Sequence, residues 1–252
     1  MAMELDVAIR AVENGALNLC YPSDVSHFQG TLQADGVVTV QKGGQLHVNE
    51  YGATGTINVD AGAKVLVTDA THGNEDQDEE MIGDGSLNIT KGTATVAFTQ
   101  AGTSVSIPAD CEAEIAGPFM DADAYHLPKN DSMSVAGKLT VKKDSIGNAF
   151  SGMEVTGKLD VTEQGIVAVE SGKLELVKTV SGQNQGSLSI DQNASVEVKT
   201  GAALDVQNGT VTASGKVYTE TGATFTASDE QKENVTVVED VKALTFTFHP
   251  NG

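Results

Sequence analysis

Residues 55–67 read Gly55-Thr-Ile-Asn-Val-Asp-Ala-Gly62-Ala-Lys-Val-Leu-Val67. Each glycine is followed by one or two small or polar residues and then by apolar–polar–apolar alternation. A period of two makes a strand with one face buried and one face wet. Glycine ahead of it tolerates the positive φ that a sharp corner between strands requires.

The phrase returns along most of the chain. It appears as Gly15-Ala-Leu-Asn-Leu, Gly36-Val-Val-Thr-Val, Gly44-Gln-Leu-His-Val and Gly85-Ser-Leu-Asn-Ile. Later copies are Gly137-Lys-Leu-Thr-Val, Gly157-Lys-Leu-Asp-Val, Gly172-Lys-Leu-Glu-Leu and Gly186-Ser-Leu-Ser-Ile. A variant carries one extra residue, as in Gly102-Thr-Ser-Val-Ser-Ile and Gly201-Ala-Ala-Leu-Asp-Val. Self-similarity at short intervals is the mark of a repeat architecture. Sandwiches and meander barrels use longer strands, more aromatics and hairpin pairs. The expectation is an all-β chain, a single-stranded parallel β-helix (β-solenoid) with two loop insertions and distinct end caps. Two or three strands would make a coil of roughly 20 residues, with Gly137 to Gly157 as one coil.

The predicted organisation is one elongated domain over 1–252. Residues 1–13 form an N-terminal cap, and 14–107 a first run of coils with an acidic insertion at 69–84. A Pro-rich insertion spans 108–135, a second run 136–227 and a C-terminal cap 228–252. The Pro-rich segment holds Pro108, Pro118 and Pro128 with Phe119, Tyr125 and His126. Between Lys64 and Lys129 the only base is Lys91, against twelve acids.

Composition fits a thin core. Among 252 residues there are 27 glycines and no tryptophan, and aromatics are 4%. Thirty-five acids against fifteen bases give a net charge of −20, with Arg10 the sole arginine. Phosphate backbones and anionic bilayers demand clustered bases, so no nucleic-acid partner and no direct membrane insertion are expected. No apolar run approaches the length that spans a bilayer. The opening MAMELDVAIRAVENG lacks the pattern of a signal peptide. Cys20 and Cys111 have no metal-ligand spacing, and a single long-loop disulfide between them stays open.

No residue is assigned as catalytic, cofactor-binding or metal-ligating. The pairs Asp121/Asp123 and Asp76/Asp78 suit acid–base hydrolysis, but acids pair by chance in so acidic a chain. Asp76, Asp78, Glu79 and Glu80 offer hard oxygens suited to calcium without matching a calcium-loop pattern. The histidines at 27, 47, 72, 126 and 249 form no ligand motif, His47 being an outward strand position. Threonine pairs at Thr93/Thr95 and Thr224/Thr226 are too sporadic for an ice-matching array.

The strand phrases, above all residues 55–67, resemble the β-helical passenger regions of bacterial autotransporters and large surface adhesins. The likeness covers about residues 14–107 and 136–227 and transfers no functional residue. It implies a non-enzymatic, extracellular or cell-surface module acting as rigid spacer and interaction surface. Its partner would be a protein or glycan surface, or copies of itself in a fibre or lattice. The alternative is a carbohydrate-active β-helix, polysaccharide-binding or -cleaving, with the acids of 108–136 lining a groove.

Overall fold

The computed structural model describes residues 16–19, 37–43, 45–48, 55–67, 86–99, 102–116, 124–143, 151–178 and 185–239. The first described strands are β1 (Ala16–Leu19), β2 (Val37–Val40), β3 (Gln45–Val48), β4 (Gly55–Asp60) and β5 (Lys64–Val67). Next come β6 (Ser86–Lys91), β7 (Thr93–Thr99), β8 (Gly102–Ile107), β9 (Glu112–Ala116), β10 (Tyr125–Leu127) and β11 (Ser132–Val135). They are followed by β12 (Lys138–Val141), β13 (Gly152–Val155), β14 (Lys158–Val161), β15 (Ile166–Val169), β16 (Lys173–Leu176) and β17 (Ser187–Ile190). The last are β18 (Ser195–Val198), β19 (Ala203–Asp205), β20 (Thr210–Ala213), β21 (Lys216–Thr219), β22 (Thr224–Thr226), α1 (Asp229–Asn234) and β23 (Thr236–Glu239). Among the described residues the protein is all-β apart from this one short helix.

The strands form three sheets, of ten, eight and five strands. From β8 to β22 the chain visits them in a fixed order: eight-stranded, ten-stranded, five-stranded, then round again, five times. Each strand pairs in parallel with its counterpart one circuit away. Leu159 of β14 stands between Met133 of β11 and Leu188 of β17, steps of 26 and 29 residues. A circuit is therefore three strands and longer than the predicted 20 residues. Gly137 to Gly157 spans two sheets rather than a full turn, and it is Ile166 N–H that donates to Gly137 O, at 2.9 Å.

One layer runs backwards. β6 lies antiparallel between β5 and β9, and β7 lies antiparallel between β4 and β8. The expectation of parallel pairing holds on both sides of this layer and fails within it. The Pro-rich segment also differs from its reading as an insertion at 108–135. It contributes β9, β10 and β11, one strand to each sheet. The acidic segment 69–84 and the cap at 1–13 lie outside the described residues.

The corners explain the glycines. Among the described residues eight corners are four-residue turns in which the fourth N–H donates to the first C=O, among them Pro108–Cys111, Pro128–Asp131 and Asp191–Ala194, each at 2.9 Å. Three others are tight two-residue corners, Ala136-Gly137, Thr156-Gly157 and Ser214-Gly215. Each tight corner nests on the four-residue turn of the preceding circuit. A Cβ at Gly157 would lie 2.1 Å from Pro128 O and 2.3 Å from Asp131 O, and Gly137 and Gly215 face their turns in the same way. These glycines are required by close backbone approach rather than by positive φ. Gly201 is the opposite case, with φ +79° and nothing within 4 Å of the Cβ position.

Inward positions fill a narrow core of Val, Leu, Ile, Met and Ala. Leu139, Val141, Leu159, Val167, Leu174 and Val196 are completely buried. Each such side chain contributes about 1.5–3 kcal/mol of burial. At the C-terminal end, Ser228 and Gln231 form a capping box on α1. The Gln231 amide also donates to Val206 O at 2.6 Å and Gly209 O at 2.7 Å. The helix thereby lies against the edge strand β20, satisfying carbonyls that an open sheet end would leave bare. Beyond it β23 adds to the ten-stranded sheet by pairing with β21.

Candidate interaction surfaces

Because alternation sends every second side chain outward, in-register stacking turns outward positions into columns. The three sheets carry chemically different columns. On the eight-stranded sheet one column runs Asn58, Thr95, Ser106, Ser134 and on through Asp160 and Ser189 to Thr212. The column beside it holds Ser104, Ser132, Lys158, Ser187 and Thr210. The one charged rung is internally neutralised, Lys158 Nζ sitting 2.8 Å from Asp160 Oδ2.

The ten-stranded sheet instead presents a ladder of ion pairs. Lys142 Nζ bridges Glu114 at 2.6 Å and Glu170 at 3.5 Å, while Lys199 bridges Glu197 at 2.9 Å and Glu220 at 3.3 Å. Lys91 pairs with Glu112 at 3.1 Å. The hydrogen bond from Lys142 to Glu114 holds that ammonium above the usual lysine range, and the bond from Lys199 to Glu197 does the same. Thr200 N–H, donating to Glu220 at 3.0 Å, is the main cause of a lowered carboxyl there. Pairs this exposed are worth little individually, roughly 0–1 kcal/mol.

The five-stranded sheet carries His126, Glu154, Glu175 and Asp205 in one outward column. His126 Nδ1 lies 3.3 Å from Glu154, Lys173 pairs with Glu175, and Asp205 accepts from Gln207 N–H at 3.2 Å. At the head of this sheet Thr103, Tyr125, His126, Pro128 and Asp131 rim a cavity of about 30 Å³ floored by Val65, Leu87, Val96 and Val105. That volume would fit one or two waters and is far too small for a sugar ring. Burial, reinforced by Asp131, pushes the Tyr125 hydroxyl well above its ordinary value. Asp131 itself accepts Thr103 N–H at 2.8 Å.

Among the described acids of 108–136, Glu112, Glu114 and Asp131 do not converge. Glu112 and Glu114 stand on the outer face of the ten-stranded sheet, each with a lysine, while Asp131 closes a corner on another side. Among the described residues no group of three His, Cys, Asp or Glu side chains comes together to hold a metal ion. His47 is on β3, in register with Asn18 and Leu66. Arg10, Cys20, Phe119, Pro118, the pairs Asp76/Asp78 and Asp121/Asp123, Glu79, Glu80 and the histidines at 27, 72 and 249 lie outside the described residues. Thr93 and Thr95 are on β7, Thr224 and Thr226 on β22. The hydroxyl columns escaped sequence reading because, from Ser104 and Ser106 onward, their members are 23 to 29 residues apart. The usable signal was Ser/Thr-x-Ser/Thr at 104/106, 132/134, 187/189 and 210/212, in four of five circuits, with Lys158 and Asp160 in the other.

Cys111 is a free, buried thiol, while Cys20, the other half of the disulfide that the sequence left open, lies outside the described residues. Burial first, then Asp110 and Glu112, push its pKa up to about 11. A thiol raised in the folded state adds stability that is complete below its unfolded value, about 8.5, and is lost as pH rises through the folded one. The two raised lysines act in the same direction above about 10.4, whereas the lowered Glu220 stabilises above about 4.3 and fails as pH falls below it. Urea midpoints should thus be flat from about pH 5 to 8 and decline on both sides, and Cys111→Ala should delay the alkaline decline until the lysines titrate. An unchanged alkaline limb in Cys111→Ala would contradict this assignment. Comparison with protein-family models, with curated proteins and with solved structures finds no match to this chain.

Proposed function

We propose that the chain is a non-enzymatic β-solenoid module of a surface or fibre protein, a stiff spacer whose outer faces meet a protein, a glycan or further copies of itself. The observation that carries this reading is the fivefold circuit of three sheets with an unbroken register from β8 to β22. Such a winding distributes backbone hydrogen bonds along an axis and gains length with each circuit. At about 4.8 Å per strand, the ten-stranded sheet extends roughly 43 Å. Among the described residues, polar side chains form paired ladders and columns over the outside. An extracellular or cell-surface setting follows from the resemblance of the strand phrases to adhesin passengers.

The test combines small-angle scattering with an activity screen. The reading expects an elongated particle with no turnover of acidic or neutral polysaccharides by a reducing-sugar assay. Release of sugar ends by the purified chain, or a scattering profile of a compact sphere, would replace it with the carbohydrate-active or a globular alternative.

A further inference from the structure

The outer face of the eight-stranded sheet stands apart in a chain of net charge −20. On β8, β11, β17 and β20 both outward positions are hydroxyls, the charged rung on β14 cancels itself, and Asp60 on β4 accepts a hydrogen bond from Thr93 at 2.9 Å. Six of these hydroxyls, on Ser104, Ser106, Ser132, Ser134, Ser189 and Thr212, make no hydrogen bond to the protein among the described residues. Each keeps one donor and two acceptor sites for whatever lies outside. Along the stack the rungs repeat every 4.7–4.9 Å, and along each strand the two hydroxyls are roughly 6.7 Å apart.

We propose that this face docks an ordered water lattice, the surface of an ice crystal. The two repeats are close to the oxygen repeats on a prism face of hexagonal ice. Fixing a water costs up to about 2 kcal/mol of immobilisation entropy, and a preset array of hydroxyls shares that cost with a lattice already ordered. Successive rungs then act as linked weak contacts whose effects multiply. The other occupants fit the face less well. A strip of roughly 34 Å by 10 Å offers on the order of 350 Å², well under the roughly 800 Å² per partner of a stable dimer. No aromatic ring lies on the described rungs to stack on a sugar, and no cluster of bases invites a polyanion. Of the threonines the sequence offered in pairs, Thr95 alone stands in this column; Thr93 faces Asp60, and Thr224 and Thr226 lie on the five-stranded sheet.

The proposal goes beyond the spacer reading and does not depend on an extracellular setting. It is tested by ice-affinity partitioning and recrystallisation inhibition with the full chain. The wild type should enter growing ice and slow grain growth. Ser134→Lys, in the middle of the array, should cut that activity at least tenfold, while Ser195→Lys on the ten-stranded face leaves it unchanged. The double change Lys158→Ser with Asp160→Ser completes the interrupted rung and should raise activity at least twofold, a gain that misfolding cannot mimic. Exclusion of the wild type from ice overturns the proposal. So does a double variant no better than wild type. Dimers in light scattering that Ser134→Lys dissolves would assign the face to a second copy, and retention on a neutral polysaccharide that Ser134→Lys abolishes would assign it to a glycan.

Discussion

Gly157→Val should abolish folding or cost on the order of 4 kcal/mol or more, the range reserved for steric failure at a special backbone site. Its Cβ would sit 2.1 Å from Pro128 O and 2.3 Å from Asp131 O, closer than any side chain tolerates. Neither oxygen can give way. Asp131 N–H donates to Pro128 O within the turn, and Lys158 N–H donates to Asp131 O across the circuit. Thr156 N–H and Gly157 N–H both donate to Leu127 O, at 2.9 and 2.8 Å, which pins the corner from above. Gly201→Asn is the control. That glycine has positive φ but open space, and asparagine tolerates the left-handed region, so the change should cost about 1 kcal/mol or less. Urea titration followed by circular dichroism compares the two directly. Equal costs would show that the close approach at Gly157 is not what requires glycine there and that circuits do not nest.

Leu159→Ala should destabilise by about 2–5 kcal/mol through loss of apolar contact and a cavity that cannot collapse. Leu159 is fully buried, held between Met133 on one side and Leu188 on the other. The spacing of strands above and below is set by backbone hydrogen bonds, so the column cannot close over the gap. Leu159→Met, which conserves volume, should cost less than about 1.5 kcal/mol. In a stack where each circuit touches only its neighbours, the damage should also be local. Amide protection should fall first at 132–135 and 187–190, the strands paired with β14. A uniform loss of protection across all three sheets would mean that the circuits unfold as one unit.

Individual strands were legible because alternation is a local signal. Gly137-Lys-Leu-Thr-Val and Gly157-Lys-Leu-Asp-Val became β12 and β14 as read. Their placement in different sheets was not legible, since all three sheets use the same phrase and only pairing distinguishes them. Direction was hidden for a similar reason. An alternating strand reads the same either way, so nothing in Ser86–Thr99 announces that β6 and β7 run against their neighbours. The misreading of 108–135 came from the prolines. Pro108 and Pro128 each follow a strand end and open a four-residue turn, where their carbonyl is needed and a missing N–H is not. Proline marks a corner there, not an insertion. The outward columns were the least visible feature, because they exist only once the register is known.

The central claim is that strands from successive circuits stack in register along one axis, and a distance measurement tests it directly. Spin labels at Ser106→Cys and Thr212→Cys, in a Cys20→Ser and Cys111→Ala background, sit in one column four rungs apart. Four steps predict a single narrow distance distribution centred near about 19 Å. A broad distribution, or one centred beyond about 30 Å, would contradict the stacked winding.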